Sequence, residues 1–194
     1  MKITEDVKTD QRLMNLAGYA AGAVDGIVGR RTRAAYERWE RALPDLSGLD
    51  ERTVRNLRTL LPEVQVAVRD WLLRSAVAAA EGLGYVLKVI SGTRSWAEQD
   101  ALYAKGRTAP GLRVTKARGG YSWHNFGLAF DVGLFTVSGG YVADDAPYRE
   151  LVKKAGVPAG FEWGGVWTEF PDTPHFQYTA KGKTLAAARA ACCG

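Results

Sequence analysis

Apolar positions in the first part of the chain recur at helical spacing. The apolar stripe of the first predicted helix includes Leu13 and Leu16 and ends at Gly18, which favours a helix stop. The pattern predicts three helices, over residues 6–18, 29–43 and 50–60. The glycine-rich connection between the first two helices contains Asp25-Gly26, a pair that favours a tight turn. We therefore expect a small all-helical unit in this part of the chain.

The periodicity then changes to a mixture of helices and strands. Pro62 favours a helix start, and apolar residues recur at helical spacing from there as far as Gly82 and Gly84. The apolar stretch YVLKVIS predicts a buried strand, and SWAE shortly after it is a capping box that opens another helix. The segment 106–122 is rich in Gly, Arg, Thr and Pro, and a loop of that length within a domain is usually functional or disordered.

The last third of the chain contains further strand and helix signals. Strands are predicted at GLAFDVGLF and PHFQYT, with GYVA as a hairpin partner of the first, and a helix is predicted over residues 147–155. Short strands and helices without regular alternation predict an α+β fold with a small antiparallel sheet flanked by helices. The expected domains are a three-helix domain at 1–60 and a second domain at 61–194, since Pro62 begins a new helix.

Composition and charge are those of a folded globular protein with a modest excess of positive charge. The 194 residues are 46% hydrophobic and 24% charged, as in folded globular chains. The net charge of +5 weakly favours a polyanionic partner, either nucleic acid or an anionic cell wall. No apolar stretch approaches the roughly 18 residues of a membrane span, and the charged N-terminus is unlike a signal peptide. We expect cytoplasmic synthesis without a signal peptide, no membrane insertion, and a monomer.

The only two cysteines, Cys192 and Cys193, are adjacent and close to the end of the chain. Neighbouring cysteines rarely form a disulfide with each other, and a frayed terminus builds no metal site. We expect this segment to be a tail without a structural role.

The chain contains only two histidines, His124 and His175. Along GLAFDV, strand alternation makes Asp131 a carboxylate that emerges from an otherwise apolar strand, and Gly127 lets the chain bend so that His124 and Asp131 meet. Two imidazoles and one carboxylate match a catalytic zinc site, which uses three protein ligands and leaves the fourth position to water. Asp172, three residues before His175, is a candidate base for the proton of that water.

The same residues also have a structural explanation. A histidine beside an aromatic residue is commonly a hydrogen-bonded structural residue, and an aspartate at a strand end is commonly a cap or part of a turn. The residue types and their spacing leave both explanations open.

The stretch SWHNFGLAFD, residues 122–131, has the pattern SxHxxGxAxD and resembles the zinc-site motif of the D-alanyl-D-alanine carboxypeptidase and L-alanyl-D-glutamate endopeptidase family. Two other stretches, SGTRSWAEQDALYAKGR and WGGVWTEFPDTPHFQ, resemble the segments that precede and follow the motif in that family. The resemblance covers residues 61–184 and implies a peptidoglycan peptidase that binds one zinc ion.

Carried over position by position, the resemblance implies His124, Asp131 and His175 as zinc ligands and Asp172 as the general base. It implies that Arg94 holds the oxygen of the scissile carbonyl while charge develops there. Positions that match residues near the substrate cleft are Gln99, Ser122 and Trp163.

The base assignment has two rivals in the closing segment, Glu162 and Glu169. Only Asp172 has the three-residue offset from His175 that the resemblance requires.

The N-terminal stretch AGYAAGAVDGIVGRRTRAAYERW resembles the peptidoglycan-binding three-helix domain, whose usual pattern is Gly-Tyr, then Val-Asp-Gly-Ile-x-Gly and a Thr-containing helix. The chain departs from that pattern at Trp39-Glu40, where the family commonly has Phe-Gln, and so lacks any polar contact that the glutamine makes. The resemblance implies bacterial peptidoglycan as the partner of this unit.

Together these features predict a phage-type endolysin that hydrolyses the L-alanyl-D-glutamate bond of the stem peptide and acts on the wall after release. A D-alanyl-D-alanine carboxypeptidase stays open, and a second basic group in the cleft, from Arg107, Arg113 or Arg118, would favour it. A catalytically silent wall-binding protein is disfavoured because all three ligands and the base are present. A nucleic-acid-binding helix at 29–43 is disfavoured because glutamates dilute its arginines, so no nucleic-acid partner is expected.

Overall fold

The computed structural model describes residues 2–193, apart from the side chains of Lys181 and Cys193. The α-helices are α1 (Val7–Leu16), α2 (Arg30–Arg41), α3 (Glu51–Leu57), α4 (Pro62–Trp71), α5 (Val77–Glu81), α6 (Trp96–Ala104), α7 (Asp145–Ala155) and α8 (Leu185–Cys193). The strands are β1 (Tyr85–Ser91), β2 (Ala129–Thr136), β3 (Phe161–Trp163) and β4 (His175–Tyr178). Short 3-10 turns cover Trp123–Phe126, Gly164–Val166 and Ala180–Gly182.

The four strands form one antiparallel sheet in the order β1-β2-β4-β3. Alternation along β2 and β4 directs Phe130 and Phe176 into the core, where their rings stack 5.1 Å apart. Trp71 at the end of α4 packs on the same face, with its ring centroid 5.2 Å from that of Phe176. The predicted α+β class with a small antiparallel sheet flanked by helices is confirmed.

The helix predicted from Pro62 is continuous but contains a π-helical turn, Leu72–Ala76, between α4 and α5. Such a turn accommodates one extra residue per turn, which is why sequence periodicity alone does not indicate it. On the side of this turn that faces α7, Trp71 Nε1 donates to Gly156 O at 3.0 Å and Ser75 Oγ to Ala155 O at 3.2 Å. The run of helix is thereby tied to the C-terminal end of α7.

Polar side chains inside the N-terminal helices fix the turn-rich connection between α1 and α2. The buried Gln11 amide donates to Asp25 Oδ1 at 2.9 Å and to Ile27 O at 3.1 Å, and accepts from Gly26 N at 2.9 Å. Gly26 has φ of +84°, which the predicted tight turn requires. Trp39 is fully buried, so the larger ring at this position packs without exposure.

Helix α3 covers the outer edge of strand β1. Val89 N donates to Thr53 Oγ1 at 3.0 Å, and Asn56 Nδ2 donates to Val89 O at 2.8 Å. An uncovered edge strand would leave these backbone groups unpaired.

The buried apolar residues of the N-terminal helices and of the sheet belong to one continuous core. The division at residues 60 and 61 stays a prediction, and the two parts share extensive packing.

Three local expectations differ from the structure. The GYVA segment is not a full strand: it forms one isolated bridge, Tyr141 with Phe135, and Val142 N donates to Leu134 O at 2.9 Å. Strand β3 was not predicted, since its three residues are too short for a periodic pattern. The expectation of a tail without a structural role is wrong: α8 packs against α1 and buries Ala188 and Cys192.

Within the described part of the chain, residues 2–193, no helix has the length and apolar character needed to cross a membrane.

Candidate metal centre

Three side chains converge on one point at the centre of the sheet. Asp131 Oδ1 lies 2.9 Å from His175 Nδ1 and 3.2 Å from His124 Nε2, and the two ring nitrogens are 3.2 Å apart. Tetrahedral zinc with bonds of about 2.0–2.1 Å separates its ligand atoms by about 3.3 Å. The triangle is therefore close to one face of that tetrahedron. This donor set fits a zinc ion, as the sequence predicted.

Sheet register and one glycine create this convergence. Asp131 on β2 is paired directly with His175 on β4, so both side chains emerge side by side. His124 lies in the 3-10 turn Trp123–Phe126, which ends at Gly127 with φ of +64°. This left-handed residue reverses the chain and directs His124 to the same point, as predicted from the sequence. Asn125, fully buried, fixes the turn by donating to Arg94 O at 2.9 Å.

The ionisation of two of the ligands suits a metal. Burial lowers the pKa of His124, which favours the neutral imidazole that a metal requires. Burial alone would raise the pKa of Asp131, but the adjacent His124 and His175 outweigh it and hold the pKa well below its usual range. For His175, the hydrogen bond and charge of Asp131 outweigh burial and raise the pKa, so a metal competes with a proton there.

Arg94 lies beside the triangle. Its Nη2 is 3.7 Å from Asp131 Oδ2, and its Nη1 donates to Gln99 Oε1 at 3.0 Å. Burial lowers the pKa of Arg94, while Asp131 and Asp172 oppose that shift, so the guanidinium remains charged. Gln99 is fully buried and also donates to Ala117 O at 2.9 Å. Gln99 therefore links Arg94 to Ala117 in the loop of residues 106–122.

Asp172 lies at the edge of the same site, at the end of the connection between the 3-10 turn Gly164–Val166 and β4. Burial raises the pKa of Asp172, Asp131 raises it further, and His175 and Arg94 oppose them. Within the described residues, no side chain or backbone group donates a hydrogen bond to this carboxylate. The carboxylate is therefore available to accept a proton from a water molecule in the site.

A cavity of about 320 Å³ opens onto these groups. Its polar lining includes Arg94, Ser122, His124, Asp172 and His175, and four further lining residues are aromatic. The aromatic residues are Tyr121, Trp123, Trp167 and Phe170. A peptide can thus lie between aromatic walls with its backbone facing the candidate metal position.

The predicted cleft residues occupy different positions. Ser122 lines the cavity, whereas Gln99 lies behind Arg94 and Trp163 is buried with its indole donating to Thr173 O at 2.8 Å. Trp167, which sequence reasoning did not select, lines the cavity instead, with its ring 5.3 Å from that of His175. The sequence signal that could have selected Trp167 is its place in the same segment as Trp163.

The basic residues considered for the cleft do not line it. Arg107 donates to Tyr103 O and Thr115 O, and Arg118 lies over the Tyr103 ring. Lys116 is the basic residue that lines the cavity besides Arg94. Sequence reasoning did not single it out because the loop contains four cationic residues with no periodic pattern.

The backbone carbonyl of Gly92 accepts a hydrogen bond from His124. Replacing Gly92 should therefore disturb both the fold and the zinc site. His124 Nδ1 donates to Gly92 O at 2.8 Å, which leaves Nε2 for a metal. A Cβ at Gly92 would collide with Asn56 O and Thr59 Oγ1. We expect Gly92→Ala to destabilise the fold by about 1–3 kcal/mol, the usual cost of overpacking, and to weaken zinc binding. Thermal unfolding of the metal-free protein and zinc titration measure the two effects.

Gly82→Ala is the matched control, because Gly82 has φ of −65° and its nearest contact would be an ordinary 3.4 Å. Wild-type stability and zinc affinity in Gly92→Ala would contradict this account of how His124 is supported.

Comparison with known proteins agrees with the predicted family. Residues 115–178, which contain all three candidate ligands and Asp172, match the model of a family described as D-alanyl-D-alanine carboxypeptidase. The predicted resemblance to this peptidase family is confirmed.

Two curated proteins similar to this chain have named activities. The chain is 42% identical over 109 residues to the peptidoglycan L-alanyl-D-glutamate endopeptidase CwlK of Bacillus subtilis (strain 168), covering 52% of this chain and 65% of that protein. It is 41% identical over 66 residues to the L-alanyl-D-glutamate peptidase of Listeria phage A118, covering 31% of this chain and 22% of that protein. The chain therefore spans less than two thirds of either relative.

A solved structure similar to this chain is the Serratia marcescens L-Ala D-Glu endopeptidase ChiX. It is 28% identical, with a TM-score of 0.44, and the match covers 66% of this chain and 87% of that one.

Proposed function

We propose that this protein is a zinc peptidase that hydrolyses the L-alanyl-D-glutamate bond of the bacterial peptidoglycan stem peptide. The observation that carries the proposal is the triangle of His124, Asp131 and His175 at the floor of an open cavity, with Asp172 and Arg94 beside it. The two named relatives that act on the same bond support this choice of substrate.

The residues around the cavity have complementary parts in amide hydrolysis. When bound, zinc supplies Lewis acidity, which acidifies water and polarises a carbonyl. Asp172 accepts the proton of the attacking water as the new carbon–oxygen bond forms. It then returns that proton to the amine nitrogen as the carbon–nitrogen bond breaks. Arg94 is placed to stabilise the negative charge that develops on the carbonyl oxygen.

A D-alanyl-D-alanine carboxypeptidase is the second candidate. The description of the matching family favours it. Lys116, which lines the cavity, is compatible with it, because a second cation could hold the terminal carboxylate of that substrate. D-glutamate also retains a free carboxylate after its amide bond is formed, so the same lysine is compatible with either substrate.

Mass spectrometry of the soluble products from purified peptidoglycan tests the proposal, with a chelator-treated sample beside it. Chelator-sensitive stem peptides with a new N-terminal D-glutamate are the expected result. Release of D-alanine alone would establish the carboxypeptidase instead. No chelator-sensitive product from either bond would overturn the proposed activity and favour a silent wall-binding protein.

We propose that the N-terminal helices bind peptidoglycan and raise the local concentration of the peptidase at its polymeric substrate. The supporting observation is the loop held by Gln11 and Asp25, which exposes 67% of Ile27 and 38% of Val28. Exposed apolar side chains on a rigid loop suit contact with a sugar or peptide surface.

Replacing Ile27 by glutamate should lower retention of the full chain on insoluble peptidoglycan several-fold. The reason is that the new charge removes apolar contact with the polymer and repels its carboxylates. Cosedimentation in an Asp172→Asn background measures retention without digestion. Val137→Glu is the control, since Val137 is 86% exposed at the end of β2. Equal retention of both variants would contradict a wall-binding role for this loop.

Action on peptidoglycan implies that the protein reaches the cell wall. Cytoplasmic synthesis, release without a signal peptide, a monomeric state and the lack of a nucleic-acid partner stay predictions. Gel-shift measurements with DNA at low salt and light scattering of the purified protein test the last two.

A further inference from the structure

Glu162 makes a pair of hydrogen bonds around the metal centre that its position in the sheet determines. It lies in the middle of β3, directly opposite Gln177 on β4. One carboxylate oxygen accepts from Trp167 Nε1 at 2.5 Å, and the other accepts from Gln177 Nε2 at 3.2 Å. Both oxygens of Glu162 are therefore engaged by donors.

The orientation of Gln177 follows from this contact. Because its amide nitrogen donates to Glu162, its amide oxygen faces the other way, 3.4 Å from His175 Nε2. An amide oxygen can only accept, so the proton of neutral His175 lies on Nε2. The opposite ring nitrogen, Nδ1, is then left without a proton at the point where Asp131 and His124 converge.

Trp167, the other donor to Glu162, lies beside the His175 ring. The Trp167 ring is 5.3 Å from the His175 ring and tilted by 46°, and it lines the cavity. The residues on both sides of Trp167 are exposed, and the hydrogen bond to Glu162 is the polar contact that orients the indole nitrogen.

The geometry points to Glu162 as a positioning residue of the metal centre: it orients Gln177 and Trp167, and through them fixes the tautomer and ring position of His175. This inference deepens the proposed function, since it concerns the same metal site. Glu162 touches neither the substrate cavity nor the metal position, so it is not a rival of Asp172 for the catalytic base.

Exchanging the carboxylate of Glu162 and the amide of Gln177, first singly and then together, tests this arrangement. Glu162→Gln presents an amide with only one acceptor, so one of the two donors, Trp167 Nε1 or Gln177 Nε2, meets another donor. We expect zinc affinity to fall about 10–100-fold, the usual effect of removing a group that orients a metal ligand. Adding Gln177→Glu should restore most of the affinity. In the double variant the amide at 162 accepts from Trp167 and donates to the carboxylate at 177, which accepts from His175.

Zinc affinity is measured by competition with a chromophoric chelator, starting from metal-free protein, so the result does not depend on any peptidase activity. Glu169→Gln is the matched control because Glu169 is an exposed carboxylate in the same segment. Circular dichroism and thermal unfolding of the metal-free variants identify any general loss of structure. In zinc-loaded wild type, ¹⁵N NMR should show the His175 proton on Nε2.

Two results would overturn the proposal. One is wild-type zinc affinity in Glu162→Gln, and the other is a double variant that binds zinc no better than Glu162→Gln alone. Normal zinc binding with no product from peptidoglycan would contradict the proposed peptidase function and leave this inference intact.

Discussion

Replacement of Asp172 by asparagine is expected to lower kcat/KM on peptidoglycan fragments by about 10²–10⁴-fold, the range typical of a lost general base. Asparagine has nearly the same shape but cannot accept the proton of the attacking water. Zinc should remain bound at full occupancy, because Asp172 is not part of the donor triangle. Product release followed by mass spectrometry and zinc content measured by elemental analysis separate these two effects.

The pH profile provides a second readout of the same change. Burial and the charge of Asp131 raise the pKa of Asp172, so the carboxylate keeps its proton to higher pH than an exposed aspartate. The rate of the wild-type protein should therefore decline on the acidic side as Asp172 is protonated. When zinc is saturating, so that protons do not displace it at His175, the residual rate of Asp172→Asn should lack that limb.

Glu169→Gln is the control for the base assignment, since Glu169 is an exposed carboxylate in the same segment and does not belong to the donor triangle. Normal turnover in Asp172→Asn, or a loss of activity in Glu169→Gln of similar size, would show that Asp172 is not the base.

The metal centre could be predicted although its ligands are not all close in sequence. His124 and Asp131 are near each other along the chain, and His175 is the chain's other histidine. The bend at Gly127 and the alternation along β2 and β4 determine where His124, Asp131 and His175 emerge. Two histidines in 194 residues also leave few alternative ligand sets. The residue pattern left a structural explanation open, and the resemblance to the peptidase family selected these three residues as ligands.

The groups that support the centre depend on contacts between distant segments, and patterns along the chain do not contain them. Glu162 lies in a three-residue strand that exists only because it pairs with β4. Gly92 O holds His124 across 32 residues of sequence. Trp163 and Trp167 look equivalent in the sequence, but the 3-10 turn at Gly164–Val166 buries the first and exposes the second to the cavity.

The helices also divide into those whose starts are determined by local sequence and one that depends on packing against a distant segment. Caps at Asp6, Asp50 and Ser95 mark helix starts that local chemistry determines. Helix α8 is different, because its alanine-rich sequence has a weak amphipathic pattern and it is stabilised by packing on α1. Packing of this kind overrides the expectation of a frayed terminus.

Replacement of His175 by alanine is expected to remove the metal and with it the peptidase activity. If the roughly 10–16 kcal/mol of a zinc site is divided evenly among four coordination positions, each ligand contributes about 2.5–4 kcal/mol, which is about 10²–10³-fold in affinity. Asp131 would also lose its 2.9 Å partner while keeping His124 and Arg94 as neighbours, so the metal-free fold should persist.

Zinc-dependent stability distinguishes this effect from simple unfolding. A ligand that binds only the folded state raises the melting temperature by an amount that grows with the ratio of free ligand concentration to Kd. Added zinc should therefore raise the Tm of wild type and of Asp172→Asn, but leave the Tm of His175→Ala nearly unchanged at the same concentration. A wild-type zinc-dependent rise in His175→Ala would contradict its assignment as a ligand, because the triangle would then bind metal without one of its three corners.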